Sequence, residues 1–328
     1  MMNTLAILTA SMLLAPESPK RILLGADLSR TVVGIERLDG SSIGIVDERG
    51  VRRTVASKDI LAAFAEGSSR PLVSEGSLAI GLADGQRIVG RPRAISSDQE
   101  SLRIAHPLLG DLRVALDQTL WILNPGVPAP SDSATEDTLV LANGDLLTGF
   151  VVGFVPTVNE EGTSVGVLIE SSSGTDQRLP LEQVATLLIA NPIRRAEGAR
   201  IWLADGSSVA MREIAAADSG MVRLLPELRE AERTEADSNG EAATVASPFS
   251  GGALIDHITG WTPDAGRLLA LADARVLSVQ PVQPRPWTEG PSFGDATRSP
   301  LGARDIYFPG PARIEWELPE RADGLACV

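Results

Sequence analysis

A four-residue motif that recurs at nearly constant spacing constrains this chain more than any other feature of its sequence. Leu82-Ala-Asp-Gly85 returns as Leu141-Ala-Asn-Gly144 and as Leu203-Ala-Asp-Gly206, so the glycines lie 59 and then 62 residues apart. Asp-Gly or Asn-Gly between alternating apolar residues predicts a β-hairpin with a two-residue type I′ turn, because both residues tolerate positive φ. The predicted turn residues are Asp84, Gly85, Asn143, Gly144, Asp205 and Gly206.

A second glycine falls inside the strand predicted after each hairpin. It is Gly90 and Gly149 in two of the copies, and Gly34 in a degenerate earlier copy. Glycine within a strand marks a bulge or a sharp bend, which is how a small sheet curls toward a barrel. The fourth copy carries Ala210 or Met211 at this place, and a weaker bend is expected there.

The copies are also predicted to end alike, in a short turn with an acidic residue that leads into a closing apolar strand. The endings of the first three copies are residues 53–60, 113–120 and 178–185. The fourth ending is placed at residues 267–279, beyond a charged segment without apolar periodicity that reads as a solvated insertion. Residues 253–258 are interpreted as one extra strand within that copy.

These repeats predict an all-β fold of about four tandem small bent-sheet or barrel units of roughly sixty residues, followed by a truncated C-terminal β domain. Breaks rich in Pro, Ser and Gly separate the units. The predicted boundaries are 1–16 for a signal peptide; 20–66, 77–124, 137–191 and 198–280 for the four units, the last with an acidic insertion at about 226–252; 281–303 for a Pro-rich linker; and 304–328 for the start of an incomplete β domain.

The first fifteen residues form an apolar run that is shorter than the roughly 20 residues a membrane-spanning helix needs. A polar Pro-Glu-Ser-Pro break follows the run, which favours a signal peptide and export to the periplasm or cell surface. The run has no basic residue before it, and Pro16 lies at the junction. A first buried strand or helix in a cytoplasmic chain is therefore the alternative. No later segment of the sequence has the length and apolarity to cross a membrane.

The charge of the chain argues against a nucleic-acid partner. Acidic residues outnumber basic ones by 43 to 29, giving a net charge of −14, which repels a polyphosphate. The densest arginine clusters, at 87–93 and 194–200, are not interleaved with aromatic residues that could stack on bases. A single cysteine, Cys327, excludes an intrachain disulfide and a cysteine metal cluster.

No pattern in the sequence predicts a catalytic residue, a cofactor site or a metal site. The two G-x-S-x-G matches, at 40–44 and 162–166, lie at predicted hairpin turns, whereas a nucleophile elbow needs a strand before it and a helix after it. His106 and His257 have no second ligand at metal-binding spacing and are expected to be exposed in a loop or strand. A base role for either would require a partner from another copy.

The stretch 78–122 resembles the first half of an Sm-like barrel, in its apolar alternation, its Asp-Gly turn and its internal glycine. This resemblance extends in weaker form over residues 20–280 and implies short, strongly bent, roughly five-stranded barrels. The RNA-contacting features of that family do not carry over. Ser96-Ser-Asp-Gln-Glu100 stands where the family shows an Asp and an Asn, and the later Arg/Lys-Gly pair is absent.

The tail from Arg298 to Pro319 resembles the opening of the carbohydrate-binding-type (NPCBM) module named for glycosyl hydrolase family 98. Tandem barrel-like units followed by such a module resemble large exported proteins of planctomycete type. The resemblance implies a sugar ligand, for which tryptophan supplies a flat apolar ring. Trp261, in a predicted loop, and Trp287, in the Pro-rich linker, are the candidate ligand-binding residues, whereas Trp121 and Trp202 are predicted to lie in the core.

Three functions fit this sequence. The first is a non-catalytic, exported binding or scaffold protein whose partner is a polysaccharide or an envelope protein. The second is an intracellular Sm-like adaptor that binds RNA or protein. The third is the accessory region of a larger enzyme that acts on glycans.

Overall fold

The computed structural model describes residues 20–66, 74–124, 127, 134–159, 162–171, 174–217, 220–228, 252–269, 271–281, 292–293, 301, 306–307 and 312–318. Within these residues every regular element is a β-strand or a single 3-10 turn, and neighbouring strands pair antiparallel. The predicted all-β class is confirmed.

Four consecutive groups each contain five strands, with a 3-10 turn between the fourth and the fifth. The first group is β1 Lys20–Gly25, β2 Arg30–Asp39, β3 Ser42–Asp47, β4 Arg52–Ala56, the turn Ser57–Asp59 and β5 Ile60–Ala65. The second is β6 Leu78–Leu82, β7 Arg87–Ile95, β8 Ser101–His106, β9 Gly110–Ala115, the turn Leu116–Gln118 and β10 Thr119–Leu123. The third is β11 Asp137–Leu141, β12 Leu146–Asn159, β13 Gly162–Ser171, β14 Asp176–Pro180, the turn Leu181–Gln183 and β15 Val184–Leu188. The fourth is β16 Arg200–Leu203, β17 Ser208–Ala216, β18 Met221–Pro226, β19 Gly252–Leu254, the turn Ile255–His257 and β20 Ile258–Thr262.

The same strand pairing occurs in all four groups. Successive strands from the first to the fourth form hairpins, and the fifth strand returns to pair with the first. The third and fourth groups repeat this order, which is 5-1-2-3-4 in each case.

One backbone hydrogen bond recurs at the alanine of the hairpin loop in every group. The N–H of Ala83 donates to the carbonyl of Gln118, the last residue of the 3-10 turn, at 2.7 Å. The equivalent alanine makes the equivalent bond in every other group: Ala26 to Asp59, Ala142 to Gln183 and Ala204 to His257. The first hairpin loop is thereby held against the turn that leads into the closing strand.

The hairpins lie where the motifs predict them, but their loops belong to a different class. Gly85 donates its N–H to the Leu82 carbonyl at 2.9 Å, and Leu82 donates to the Gln86 carbonyl at 2.9 Å. Gly85 has a φ of +79°, whereas Asp84 is not among the residues with positive φ. This is a three-residue loop with a glycine bulge rather than the predicted type I′ turn, in which both central residues have positive φ. Gly144 and Gly206 make the equivalent bonds, with φ of +90° and +87°.

Each second strand is bent by a register shift, as predicted, but the internal glycine is not the bulged residue. The pairing skips Glu36, Arg93 and Val152 in the first three groups and Arg212 in the fourth. Gly90 lies three residues before the skipped position. A Cβ there would come within 2.7 Å of the Ala105 carbonyl oxygen, so glycine is needed for close strand approach.

The predicted ending of the fourth copy is wrong. Residues 253–258 are not an extra strand: they contribute to β19, the 3-10 turn and the start of β20, which close the fourth group. β21, Arg275–Pro281, instead pairs with β24, Ala312–Glu317. A further short pair joins β22, Ser292–Phe293, to β23, Ile306–Tyr307. Most of the charged insertion and of the Pro-rich linker lies outside the described residues.

Pairing between groups joins twelve strands into one ladder. β5 pairs with β20, β10 pairs with β15, and the start of β7 meets the start of β17. The resulting order is β2-β1-β5-β20-β16-β17-β7-β6-β10-β15-β11-β12. This order is symmetric about the β7–β17 junction, which relates the fourth group to the second and the first group to the third. Below the ladder, buried residues of all four groups form one apolar cluster.

Candidate functional site

A buried polar cluster lies at the β7–β17 junction, where the second and fourth groups meet. The His106 ring is fully buried, with Nε2 lying 3.0 Å from Asp205 Oδ2 and 3.1 Å from Ser207 Oγ. The N–H groups of Leu108 and Leu109 donate to its Nδ1, at 3.1 and 3.2 Å. The expectation that His106 is exposed is wrong, because the fold brings a carboxylate from another copy to its ring.

This cluster does not have the geometry of a Ser-His-Asp relay. In a relay the carboxylate and the serine contact opposite ring nitrogens, so that the proton removed from serine enters a ring held by the acid. Here both Asp205 and Ser207 face Nε2, and Nδ1 accepts from the backbone. Ser207 is also fully buried. The arrangement links two groups of strands and presents no nucleophile to solvent.

The carboxyl group of Asp205 is tuned by this environment. Burial, the largest single influence, raises its pKa, but the His106 ring beside Oδ2 and the hydrogen bond from the Ser207 N–H to Oδ1 together outweigh burial and hold the pKa below its usual value. At the same junction Arg200 is buried and donates from Nη2 to the Asp84 carbonyl at 2.9 Å. Burial lowers the pKa of Arg200, although the nearby Asp84 and Glu227 partly offset it.

A different surface, on the outer side of the ladder, is partly exposed. Cross-strand pairing places Trp121, Leu188, Thr138 and Thr148 in one row across β10, β15, β11 and β12. A second row places Leu123, Thr186, Val140 and Leu146 on the same side of the same strands. The residues that alternate with them, Ile122, Leu187 and Leu139, are buried in the core. We call Trp121, Thr138, Val140, Thr148, Thr186 and Leu188 the outer platform; all six are half-buried.

Trp121 lies flat against the sheet because its cross-strand neighbour has no side chain. A Cβ built on Gly81 would lie 2.0 Å from Cε2 and 2.5 Å from Nε1 of the indole. The ring therefore covers the Gly81 backbone and contributes a half-buried face to the platform. The prediction that Trp121 and Trp202 lie in the core is wrong: both are half-buried, because their strands alternate between the core side and the outer side.

The pseudo-symmetric half of the ladder also has a Trp–Gly pair, but there the tryptophan lies in the first strand and the glycine in the fifth. Trp202 pairs with Gly260, and Gly260 pairs with Phe64 of the first group. Phe64 and its neighbours Ile22, Leu24 and Ala62 are buried under Leu268 and Leu301. Later residues of the chain thus cover the outer face around Phe64, whereas Leu188, which occupies the place of Phe64 next to Trp121, is half-buried; Trp202 itself is half-buried like Trp121. Next to the platform, Leu146 and Phe150 are 63% and 65% exposed.

The tryptophans singled out from the sequence lie elsewhere. Trp261 lies in β20 and is 1% exposed, so its predicted position in a loop is wrong, and its ring is closed to a sugar in this structure. Its indole Nε1 has no hydrogen-bond partner among the described residues. Trp287 lies outside the described residues. His257, in the 3-10 turn before β20, is exposed as expected.

Neither a metal site nor a membrane-spanning helix is found within the described ranges. No three His, Cys, Asp or Glu residues in that part of the chain come together to hold a metal ion. No helix there has the length and apolarity to span a bilayer.

Comparison of the chain with protein-family models, with curated proteins and with solved structures found no match. The outer platform and the buried junction are the two features of the structure that bear on function.

Proposed function

We propose that this chain is a non-catalytic, exported binding or scaffold protein that binds a neutral polysaccharide on the outer platform. The observation that carries the proposal is the Trp121 indole, which lies flat against Gly81 on a half-open sheet face.

The chemistry of the platform suits a sugar polymer. A flat indole packs against the C–H face of a pyranose ring, and its N–H remains available as a donor. Thr138, Thr148 and Thr186 place three hydroxyls in neighbouring strands, and each hydroxyl both donates and accepts hydrogen bonds. Val140 and Leu188 supply apolar contact between them. An extended ligand lying across the strands would meet a Trp, a Leu and two Thr in succession.

The electrostatics favour a ligand without negative charge. The platform itself contains no ionisable residue, and the chain carries a net charge of −14. An anionic polymer would approach against this field, whereas a neutral glycan would not. RNA binding, the activity of an Sm-like adaptor, is disfavoured for the same reason.

Three further features support this proposal from outside the platform. The five-stranded order with a strongly bent second strand supports the resemblance to Sm-like barrels, without their RNA-contacting residues. The apolar leader supports export, and the tail that resembles an NPCBM-type module supports a glycan ligand. Under this proposal Trp287 is a second candidate contact. An accessory role in a larger glycan-acting enzyme would use the same surface.

The test is sedimentation of the full chain with insoluble neutral polysaccharides and with cell-wall sacculi, compared with RNA in solution. We expect binding to at least one neutral polysaccharide. Trp121→Ala should weaken it at least tenfold, which corresponds to about 1.4 kcal/mol. Trp202→Ala is the control, since it removes a half-buried tryptophan that also faces a cross-strand glycine but lies outside the outer platform, and it should leave binding unchanged.

Thr186→Val provides a second variant in case Trp121→Ala perturbs folding, because it removes only a hydroxyl at nearly constant shape. We expect it to weaken binding several-fold with an unchanged circular dichroism spectrum. The proposal fails if no neutral polysaccharide sediments the chain, if Trp121→Ala binds as the unchanged chain does, or if only RNA binds.

A further inference from the structure

The junction between the second and fourth groups follows a simple rule of spacing. Ser208 lies opposite Arg87, and each is the third residue after the Asp of its own hairpin loop. Gln86 Oε1 accepts the N–H of Ala210 at 2.8 Å, and Ser207 Oγ accepts the N–H of Val89 at 3.0 Å. In each strand, the side chain two residues after the Asp accepts a hydrogen bond from the other strand. The N–H five residues after the Asp donates the reciprocal bond.

The third group has residues at the equivalent positions of its second strand, β12, which lies at the free end of the ladder. Counted from Asn143, the acceptor position holds Asp145, the opposing position Leu146 and the donor position Thr148. Residues 146–148 of β12 pair with β11 on one side, and no described strand pairs with their other side. The Asp145 side chain is exposed, and its carboxylate is an acceptor like those of Gln86 and Ser207.

The free edge carries an exposed apolar residue, and two more follow it in the same strand. Leu146 is 63% exposed; Phe150 and Val152, in the part of β12 that pairs with β13, are 65% and 43% exposed. An edge strand with open backbone groups and apolar side chains is a template for another strand, and natural edges are commonly protected by charge. The equivalent edge of the first group carries such a charge, since Arg30 stands where the third group has Leu146.

We propose that two copies of this chain associate through their β12 edges, which pair antiparallel about a twofold axis. The register is the one that joins β7 to β17 within the chain. Leu146 then lies opposite the partner's Leu146, and each Asp145 accepts the N–H of the partner's Thr148. Phe150 of each copy packs beside the hairpin loop of the other. The two twelve-stranded ladders become one.

A symmetric contact suits these residues better than a head-to-tail contact between β12 and β2 of another copy. Head-to-tail pairing would set the apolar Leu146 against the partner's Arg30 and would not close. Symmetric pairing buries Leu146 and Phe150 on both copies, and a twofold dimer is the commonest closed assembly. This inference does not depend on the proposed polysaccharide ligand, because it is measured by mass alone.

The first experiment is sedimentation velocity of the full chain over a range of concentrations, with a mass of twice 34.5 kDa expected. Leu146→Arg places two like charges opposite each other and should weaken association at least tenfold. Val158→Arg is the control, because Val158 is 84% exposed at the far end of the same strand and should leave the mass unchanged. Arg30→Glu should also leave it unchanged.

Cross-linking provides a measurement that does not rely on disrupting the contact. Residues directly opposite in antiparallel strands have Cα atoms about 4.5–5.5 Å apart, within the range of a disulfide. In a Cys327→Ser background, Leu146→Cys should form a covalent dimer under mild oxidation, and Val158→Cys should not. A monomer at all concentrations, a dimer that survives Leu146→Arg, or one that Arg30→Glu dissociates would overturn the inference.

Discussion

His106 of the second group and Asp205 of the fourth lie 3.0 Å apart, from Nε2 to Oδ2, inside a junction that is closed to solvent around the histidine. The contact joins two hairpins that are far apart in sequence. Because the histidine Nδ1 is already occupied by backbone N–H groups, Nε2 is the nitrogen that faces the carboxylate. The pair is a structural link between groups of strands, and its energy depends on the ionised form of Asp205.

The first prediction concerns pH. The folded-state pKa of Asp205 lies below its unfolded value, so this group contributes stability at pH above about 4, the usual pKa of aspartate. That contribution is lost as the pH falls through the lower, folded-state pKa. Urea unfolding between pH 7 and pH 3 should therefore show a stability loss that Asp205→Asn reduces.

The control for this experiment is Asp111→Asn, which makes the same change of charge at an exposed position of β9. Its stability profile should run parallel to that of the unchanged chain. If Asp205→Asn and Asp111→Asn gave the same profile, the junction would not be a source of the pH dependence.

The second prediction is a stabilising substitution in the first hairpin loop. Leu28 occupies the place of Gly85, Gly144 and Gly206 and has a φ of +65°. A side chain in the left-handed region costs roughly 1–2 kcal/mol, part of which glycine returns through its greater freedom in the unfolded chain. Leu28→Gly should raise the free energy of unfolding by about 0.5–1 kcal/mol, measured by chemical denaturation. Leu28→Ala, which shortens the side chain but keeps its Cβ, should give no gain.

The third prediction concerns the close approach of two strands at Gly149. A Cβ on Gly149 would lie 2.2 Å from the Glu170 carbonyl oxygen, and neither backbone can move aside easily. Gly149→Ala should destabilise the fold by about 1–3 kcal/mol, the usual range for overpacking. At Gly40 the nearest atom would be 3.4 Å away, so Gly40→Ala should change stability by less than about 0.5 kcal/mol. Equal effects of the two substitutions would contradict this reading of Gly149.

Local signals in the sequence predict the hairpins but not their assembly. Asp84-Gly85 and its copies determine a turn within a few residues, and the structure has a hairpin at each. The sequence pattern misplaces the closing strand of the fourth group because residues 229–251 separate β18 from β19. Residues 267–279 resemble the endings of the other copies. The contact of His106 with Asp205 joins the second and fourth groups of strands, so no spacing within one repeat predicts it. Trp121 is predicted to lie in the core because it falls in a predicted strand, and the apolar run Trp121-Ile-Leu123 does not show which side of that strand is buried.

The last prediction concerns how Gly81 supports Trp121. A Cβ at Gly81 would fall within 2.5 Å of three indole atoms, so Gly81→Ala must push the ring away from the sheet. Because the ring is only half-buried, it can move toward solvent, and we expect a loss of about 1–2 kcal/mol of unfolding free energy rather than failure to fold. The displaced ring would no longer present a flat face level with Leu188 and Thr138.

Gly81→Ala should therefore alter the near-ultraviolet circular dichroism of the tryptophans and weaken polysaccharide sedimentation to nearly the level of Trp121→Ala. The double variant should bind no more weakly than Trp121→Ala alone, because Gly81 acts through the ring. Additive losses in the double variant would show that Gly81 affects binding by another route, and an unchanged spectrum would show that the ring had not moved.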